Sequence, residues 1–134
     1  MEGLTLLRTA LKGNGIFSLA SAILTLVLGH SVKAVNEMAN GQPMAFSIQL
    51  AVFAIVVLIT AHRKKVSTIL VWIIIVLDIL YVSLGFYNLF ALVSEISTSG
   101  KLLILATNVM VALFAIFQTI GMIRYRKSLK TITR

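Results

Sequence analysis

The sequence predicts an all-α membrane protein, a bundle of four transmembrane helices with short loops. Its 134 residues are 59% hydrophobic and only 12% charged, whereas a soluble domain has roughly 45–50% apolar and about 25% charged residues. Four continuous apolar blocks of about 17 to 25 residues are each long enough to cross a bilayer. This composition excludes a soluble enzyme, a disordered tail and a secreted disulfide scaffold, and the absence of cysteine excludes thiol chemistry.

The four blocks form one predicted transmembrane domain, residues 13–123. They are predicted to be helices, because their runs of Leu, Ile, Val and Phe are continuous, whereas the strands of a membrane barrel alternate apolar and polar residues. They span residues 13–29, 44–61, 66–90 and 102–123. Before them, Leu4, Leu7 and Leu11 recur at helical spacing, which predicts an amphipathic segment over residues 1–12 that lies on the membrane interface. Gly13 and Gly15 are then expected to turn the chain inward.

The first block also fits a secretory signal peptide, because Arg8 and Lys12 precede it and Val32-Lys33-Ala34 could be cleaved. We expect it to be retained as the first helix of the bundle, since three further spans follow.

The positions of lysine and arginine predict the orientation, because these residues are concentrated in the cytoplasmic connections of membrane proteins. One set of connections carries only Lys33 and Lys101. The other set carries ten cations: Arg8, Lys12, Arg63, Lys64, Lys65, Arg124, Arg126, Lys127, Lys130 and Arg134. Both termini and the turn at residues 62–65 are therefore predicted to face the cytoplasm from an inner (plasma) membrane.

The net charge of +8 comes from residues beside the apolar blocks, where anionic headgroups are nearer than any nucleic acid. The turn and the basic cytoplasmic tail, residues 124–134, are predicted to bind those headgroups. The residues concerned are Arg63, Lys64, Lys65, Arg124, Arg126 and Lys127. Nucleic-acid binding is not expected.

Asp78 is the most informative residue, because it lies twelve positions into the third block, near the expected bilayer midplane, where an aspartate costs about 2.5–3.5 kcal/mol. Three interpretations stay open. Asp78 carries a proton or binds a cation in a transport pathway, or it is protonated and hydrogen-bonds neighbouring helices, or it pairs with a basic residue of a partner protein.

Polar and small residues recur on one stripe of each of three blocks, with Tyr81, Gly85 and Asn88 following Asp78. Such stripes indicate either a closely packed bundle or a narrow polar cavity centred on Asp78, with Ser21 and Thr25 opposite it. The candidate polar site consists of Asp78, Tyr81, Asn88, Ser21, Thr25, Asn108 and Gln118. The second block has few polar residues, with Gln49 and Thr60 near its ends, which favours a lipid-facing or partner-facing helix.

The positions of the histidine, glutamate and serine residues do not favour a metal site, a cofactor site or an enzyme active site. His30 and His62 are at opposite ends of two spans, about 30 Å apart. Glu2, Glu37 and Glu95 all lie outside the predicted spans, and no histidine accompanies a serine at membrane depth. We expect no catalytic residue, no metal and no cofactor.

Three motifs carry a resemblance: the run Asn14 to Ser21, an Asp late in the third block, and the ending Gln118 to Met122. On these the chain resembles a loose group of uncharacterised small four-helix bacterial inner-membrane proteins. The resemblance implies the architecture and brings no activity with it. Exporters of the small-multidrug-resistance type differ, since their membrane glutamate is in the first helix and Asp78 is in the third.

The sequence predicts a non-enzymatic accessory or scaffold subunit of an inner-membrane assembly. This prediction depends on the short loops, on the single carboxylate within the predicted spans, Asp78, and on the lack of a recognisable group of catalytic residues. The alternative is a small proton- or cation-coupled transporter that uses Asp78. Either function implies a homo-oligomer or a partner membrane subunit.

Overall fold

The computed structural model describes residues 2–91 and 96–133, which form five helices and contain no strand. They are α1 (Glu2–Leu28), α2 (Lys33–Met38), α3 (Pro43–His62), α4 (Thr68–Ala91) and α5 (Thr98–Thr133). Helices α1, α3, α4 and α5 are each long and apolar enough to cross a membrane. The all-α class and the four candidate spans are thereby confirmed. Glu95, which lies outside the predicted spans, and Arg134 of the predicted tail are not among the described residues.

Backbone geometry explains where α3 begins and ends. Asn40 and Gly41 both have positive φ angles, of 56° and 76°, which short turns require and which Asn and Gly adopt most readily. Pro43 then occupies the first turn of α3, where its missing N–H leaves no hydrogen bond unmade. At the other end, Arg63 is extended, and the chain reverses into α4.

The first helix differs from the prediction, because α1 runs unbroken through Gly13 and Gly15 and includes residues 2–12. A Cβ atom at Gly13 would lie 2.9 Å from the Phe114 ring, and one at Gly15 would lie 2.7 Å from Leu58. Both glycines therefore serve close helix packing rather than a turn. Leu7 is fully buried inside the bundle. The predicted tail is likewise helical, since α5 continues to Thr133.

The helices pack in the order α3, α1, α5, α4. Helix α1 packs along α3 and α5, α5 also packs along α4, and the short α2 lies mainly against α5. Helices α3 and α4 are consecutive in the chain but make few contacts with each other, so a gap separates them. The second predicted span is α3. One face of it packs in the bundle, where Ser47 Oγ donates to Ala22 O at 2.6 Å, and another face is exposed at Ile48 and Val52.

The two ends of the bundle differ in charge. At the basic end, the Arg8 guanidinium donates to the carbonyls of Arg63 and Lys64, each at 2.7 Å, and Gly3 contacts Arg124. The start of α1, the turn after α3 and the end of α5 therefore lie together, as the charge pattern requires. Lys33 and Lys101 belong to the opposite end, where α2 and the start of α5 meet.

A cluster of buried apolar side chains lies in the half of the bundle nearer the basic end. This apolar cluster draws on all four long helices and consists of Leu7, Leu11, Val57, Ala61, Val66, Val71, Ile74, Ile75, Met122 and Tyr125. Arg8 lies between Leu7 and Leu11 on α1, and the turn at Arg63 lies between Ala61 and Val66, so the cluster fills the bundle at its basic end.

Helices α1 and α5 cross closely at Gly121 of α5 and Leu7 of α1. A Cβ atom at Gly121 would lie only 2.8 Å from the Leu7 backbone, so a larger residue there would push the two helices apart. We expect Gly121→Ala to lower the free energy of unfolding by about 1–3 kcal/mol, the usual cost of overpacking, measured by denaturant titration in detergent micelles. Ala20→Leu, on an exposed position of α1, is the control and should change it by less than about 0.5 kcal/mol. Equal stability of Gly121→Ala and the parent chain would contradict the close crossing.

Candidate functional site

Asp78 lies at the junction of three helices, where two amide side chains hold it. Asn14 Nδ2 of α1 and Gln118 Nε2 of α5 each donate to Asp78 Oδ2 at 2.9 Å. Asn14 Nδ2 also donates to Gln118 Oε1 at 2.9 Å. Every pair among the three residues is therefore hydrogen-bonded, and we call this group the Asn14–Asp78–Gln118 triad.

The triad is deeply buried, with exposed fractions of 0% for Asn14 and Gln118 and 3% for Asp78. Ser18, one helical turn after Asn14, donates from Oγ to Asn14 Oδ1 at 3.4 Å. This contact supports the orientation of the Asn14 amide that directs its NH₂ group at Asp78. The triad thus ties α1, α4 and α5 together next to the apolar cluster.

A cavity of about 510 Å³ lies beside the triad, on the side of the α3–α4 gap. Asp78 and Tyr81 of α4 line it together with Ser18 and Ser21 of α1. Among its lining residues in the described chain, Asp78 is the only acidic one, and none is Lys, Arg or His. Asp78 Oδ2 already accepts two hydrogen bonds, whereas no hydrogen bond from a described residue reaches Oδ1. The carboxyl therefore retains an acceptor for a proton or a cation at the cavity wall.

The other predicted site residues are divided between the cavity and more distant positions. Tyr81 and Ser21 line the cavity, and Gln118 is in the triad. Thr25 is buried and donates to Ser21 O at 2.7 Å, one turn beyond the cavity. Asn88 donates to Asn40 Oδ1 at 3.2 Å, at the opposite end of the bundle.

Asn108 is separate from the triad. Its amide lies directly over Gly85 of α4, where any Cβ would collide with it. Its Nδ2 is buried and makes no hydrogen bond within the described part of the chain. The structure therefore brings Asp78, Gln118, Tyr81 and Ser21 together and leaves Asn108 in an interhelical contact.

The candidate polar site predicted from sequence does not include Asn14 and Ser18, although both are polar residues of the first predicted span. Asn14 is the only Asn or Gln residue in block 13–29, and an amide in an apolar span requires a partner. That signal makes Asn14 a candidate but does not identify Asp78 and Gln118 as its partners, because the pairing depends on how the helices are rotated.

A metal site receives no support from the described residues, which contain no group of three His, Cys, Asp or Glu side chains. His62 Nδ1 lies 2.8 Å from Leu58 O at the end of α3. His30 follows α1 at the opposite end. The chemistry of the triad and its cavity is consequently that of one carboxyl group, amides and hydroxyls.

A second polar contact, at the opposite end, was not predicted. The Glu37 carboxylate of α2 accepts hydrogen bonds from the Ser97 hydroxyl and from the Ser97 backbone N–H, both at 2.6 Å. Ser97 immediately precedes α5, so the carboxylate also lies near the positive end of that helix. These hydrogen bonds from Ser97 lower the pKa of Glu37, and Lys33 lowers it further.

This lowered pKa predicts that the α2–α5 contact weakens in acid. The pKa of Glu37 in the folded protein is below its ordinary value of 4.5. The hydrogen bonds from Ser97 therefore stabilise the α2–α5 contact fully above pH 4.5, and this stabilisation is lost as the pH falls through the lowered pKa. We expect the backbone N–H of Ser97 to exchange hydrogen faster on acidification below about pH 4.5, after correction for intrinsic exchange. Glu37→Gln should abolish this pH dependence, and an unchanged profile in that variant would contradict the assignment.

No protein-family model, curated protein or solved structure matches this chain. The comparisons therefore assign no fold family and no activity. The function has to be inferred from the geometry of the triad and its cavity.

Proposed function

We propose that the chain is a small proton- or cation-coupled transporter in which Asp78 is the cation-binding group. One observation carries the proposal: the carboxyl of Asp78 borders a cavity of about 510 Å³ that contains no fixed positive charge among its described lining residues. A carboxyl group in a membrane span is costly and is retained mainly where it binds or relays ions.

The triad supports this function over a purely structural hydrogen bond. Two amide groups donate to Oδ2 and fix the position of the carboxyl group, while Oδ1 receives no hydrogen bond from the described residues. A residue that served only to join helices would have no need of an adjacent cavity. The apolar cluster separates this cavity from the basic end, so transport requires the bundle to open there in a second conformation.

The membrane and the orientation are part of the proposal. We assign the chain to the inner (plasma) membrane of a bacterium, with both termini in the cytoplasm, since the cations cluster at the basic end. The anionic headgroups of the inner leaflet then lie next to the basic residues of the turn and the tail, which are Arg63, Lys64, Lys65, Arg124, Arg126 and Lys127.

The orientation is tested by cysteine labelling. The chain lacks cysteine, so Ser31→Cys and Ser128→Cys can be labelled separately in intact cells. Only Ser31→Cys should react with an impermeant maleimide; the reverse pattern would contradict the orientation.

The transport function is tested with the purified chain in liposomes. A potassium gradient with valinomycin imposes a membrane potential, and an internal pH dye reports proton movement. We expect proton flux above that of protein-free liposomes. Flux equal to that background, from correctly inserted protein, would contradict proton transport by the chain alone.

The second candidate function is a non-enzymatic accessory or scaffold subunit. The half-exposed apolar side chains of Ile48, Val52 and Ile73 beside the α3–α4 gap favour it, because a partner's helix could cover them and place a basic residue near Asp78. Mild-detergent purification from native membranes, followed by native mass spectrometry, separates the two candidates. A second polypeptide at fixed ratio that is lost in Asp78→Asn supports the accessory subunit, whereas a homo-oligomer alone favours the transporter.

A further inference from the structure

The geometry points to an apolar, aromatic organic monocation as the ligand of the Asp78 cavity, which it enters sideways from the lipid through the α3–α4 gap. This inference rests on the proposed transport function and specifies its substrate class. Four properties of the cavity carry it: its charge, its aromatic walls, its size and its position in the bundle.

The charge of the cavity matches one positive charge. Asp78 is the single acidic group on the wall, and no cationic side chain of the described residues lies there to neutralise it. Its Oδ1 receives no hydrogen bond from the described chain, while the two amides occupy Oδ2. A monocation near Oδ1 would complete the coordination of the carboxylate, whereas an anion would be repelled.

The walls favour an organic cation over a metal ion. Phe17 of α1, Phe46 and Phe53 of α3, and Tyr81 of α4 all line the cavity, and the rings of Phe46 and Tyr81 are 6.3 Å apart at a 46° tilt. Aromatic faces attract organic cations directly. A calcium ion, in contrast, needs about six to eight oxygen ligands, and a magnesium ion loses its hydration reluctantly. The few hydroxyl and amide groups on the wall do not supply such a shell.

The size and the opening of the cavity fit the same ligand class. A volume of about 510 Å³ lies within the range of about 300–1,000 Å³ that is usual for sites of drug-sized molecules. The rim residues Val52 and Ile73 are 58% and 49% exposed, and α3 and α4 hardly touch. The apolar cluster fills the bundle between the cavity and the basic end. A cation that partitions into lipid can therefore reach Asp78 through the gap.

The test uses tetraphenylphosphonium as a probe and tetraphenylborate, an anion of similar size and shape, as its charge control. Binding to the purified chain in detergent is measured by equilibrium dialysis, with monodispersity of every variant checked by size-exclusion chromatography. We expect saturable binding of tetraphenylphosphonium only. Asp78→Asn should weaken it at least tenfold.

A matched aromatic pair tests the cavity wall independently of Asp78. Phe46→Leu should weaken binding several-fold, whereas Phe90→Leu should not, because Phe90 is 78% exposed and lies outside the cavity. Absence of tetraphenylphosphonium binding, equal binding of tetraphenylborate, or undiminished binding by Asp78→Asn or Phe46→Leu would each overturn the inference. Proton flux without cation binding would overturn only this ligand class, whereas loss of both would overturn the proposed function as well.

Discussion

Asp78→Asn is expected to reduce potential-driven proton flux in liposomes to the rate of protein-free vesicles. The asparagine oxygen can still accept the hydrogen bonds that Asn14 and Gln118 donate to Asp78, so the bundle should fold as before. The amide cannot take up and release a proton at ordinary pH. The substitution therefore separates the proton chemistry of this position from its packing, and the pH-dye assay measures the difference.

Two further variants make this result specific. Glu2→Gln removes a carboxyl group at the start of α1, twelve residues before Asn14, and should leave the flux unchanged. Asp78→Glu keeps a carboxyl group but lengthens the side chain, so a measurable fraction of the flux should remain. Unaltered flux in Asp78→Asn would show that protons cross the bundle by another route and would remove Asp78 from the mechanism.

The combined substitution Asn14→Leu with Gln118→Leu is expected to lower the free energy of unfolding by about 2 kcal/mol. It removes both donors to a carboxyl group that is 3% exposed, and an unsatisfied buried polar group costs about 1–3 kcal/mol. The double variant also loses all three hydrogen bonds of the triad, which at about 0.6 kcal/mol each agrees with a loss of about 2 kcal/mol. Reversible denaturation in mixed detergent micelles provides the measurement.

The third member of the triad provides the internal control for this prediction. Adding Asp78→Leu to the double variant should restore most of the lost stability, because replacing a whole hydrogen-bonded group by apolar side chains of similar size is often nearly neutral. Asn88→Leu removes an amide from the opposite end of the bundle and should cost less than about 0.5 kcal/mol. A triple variant as unstable as the double one would mean that Asp78 does not depend on the two amides.

Asp78 and Gln118 were both identified as candidates from sequence, because each interrupts an apolar span with a polar group. The same argument applies to Asn14, which completes the triad, and to Asn108, which does not join it. Nothing in the spacing along one helix distinguishes the two. The difference arises because Asn108 is covered by α4 at Gly85, whereas Asn14 reaches across to Asp78 and Gln118.

The glycines show a similar limit. Gly13 and Gly15 predict a turn as readily as a close helix contact, because the absence of a side chain permits both. The presence of Leu58 and Phe114 against them decides in favour of the contact. These neighbours come from α3 and α5, forty residues or more away along the chain, so no local pattern reveals them.

The sequence by itself determined the all-α class, the four candidate spans and the grouping of cations beside particular spans. Each of these depends on the composition of one local segment and on the need to satisfy backbone hydrogen bonds in lipid. The tertiary structure alone decided the triad, the α3–α4 gap and the cavity between those helices. Helices such as α3 are apolar around nearly their whole circumference, and in lipid both the buried and the exposed faces are apolar. The face of each helix that points inward is therefore set by packing and polar contacts between distant segments. The hydrophobic pattern along one helix does not predict these contacts.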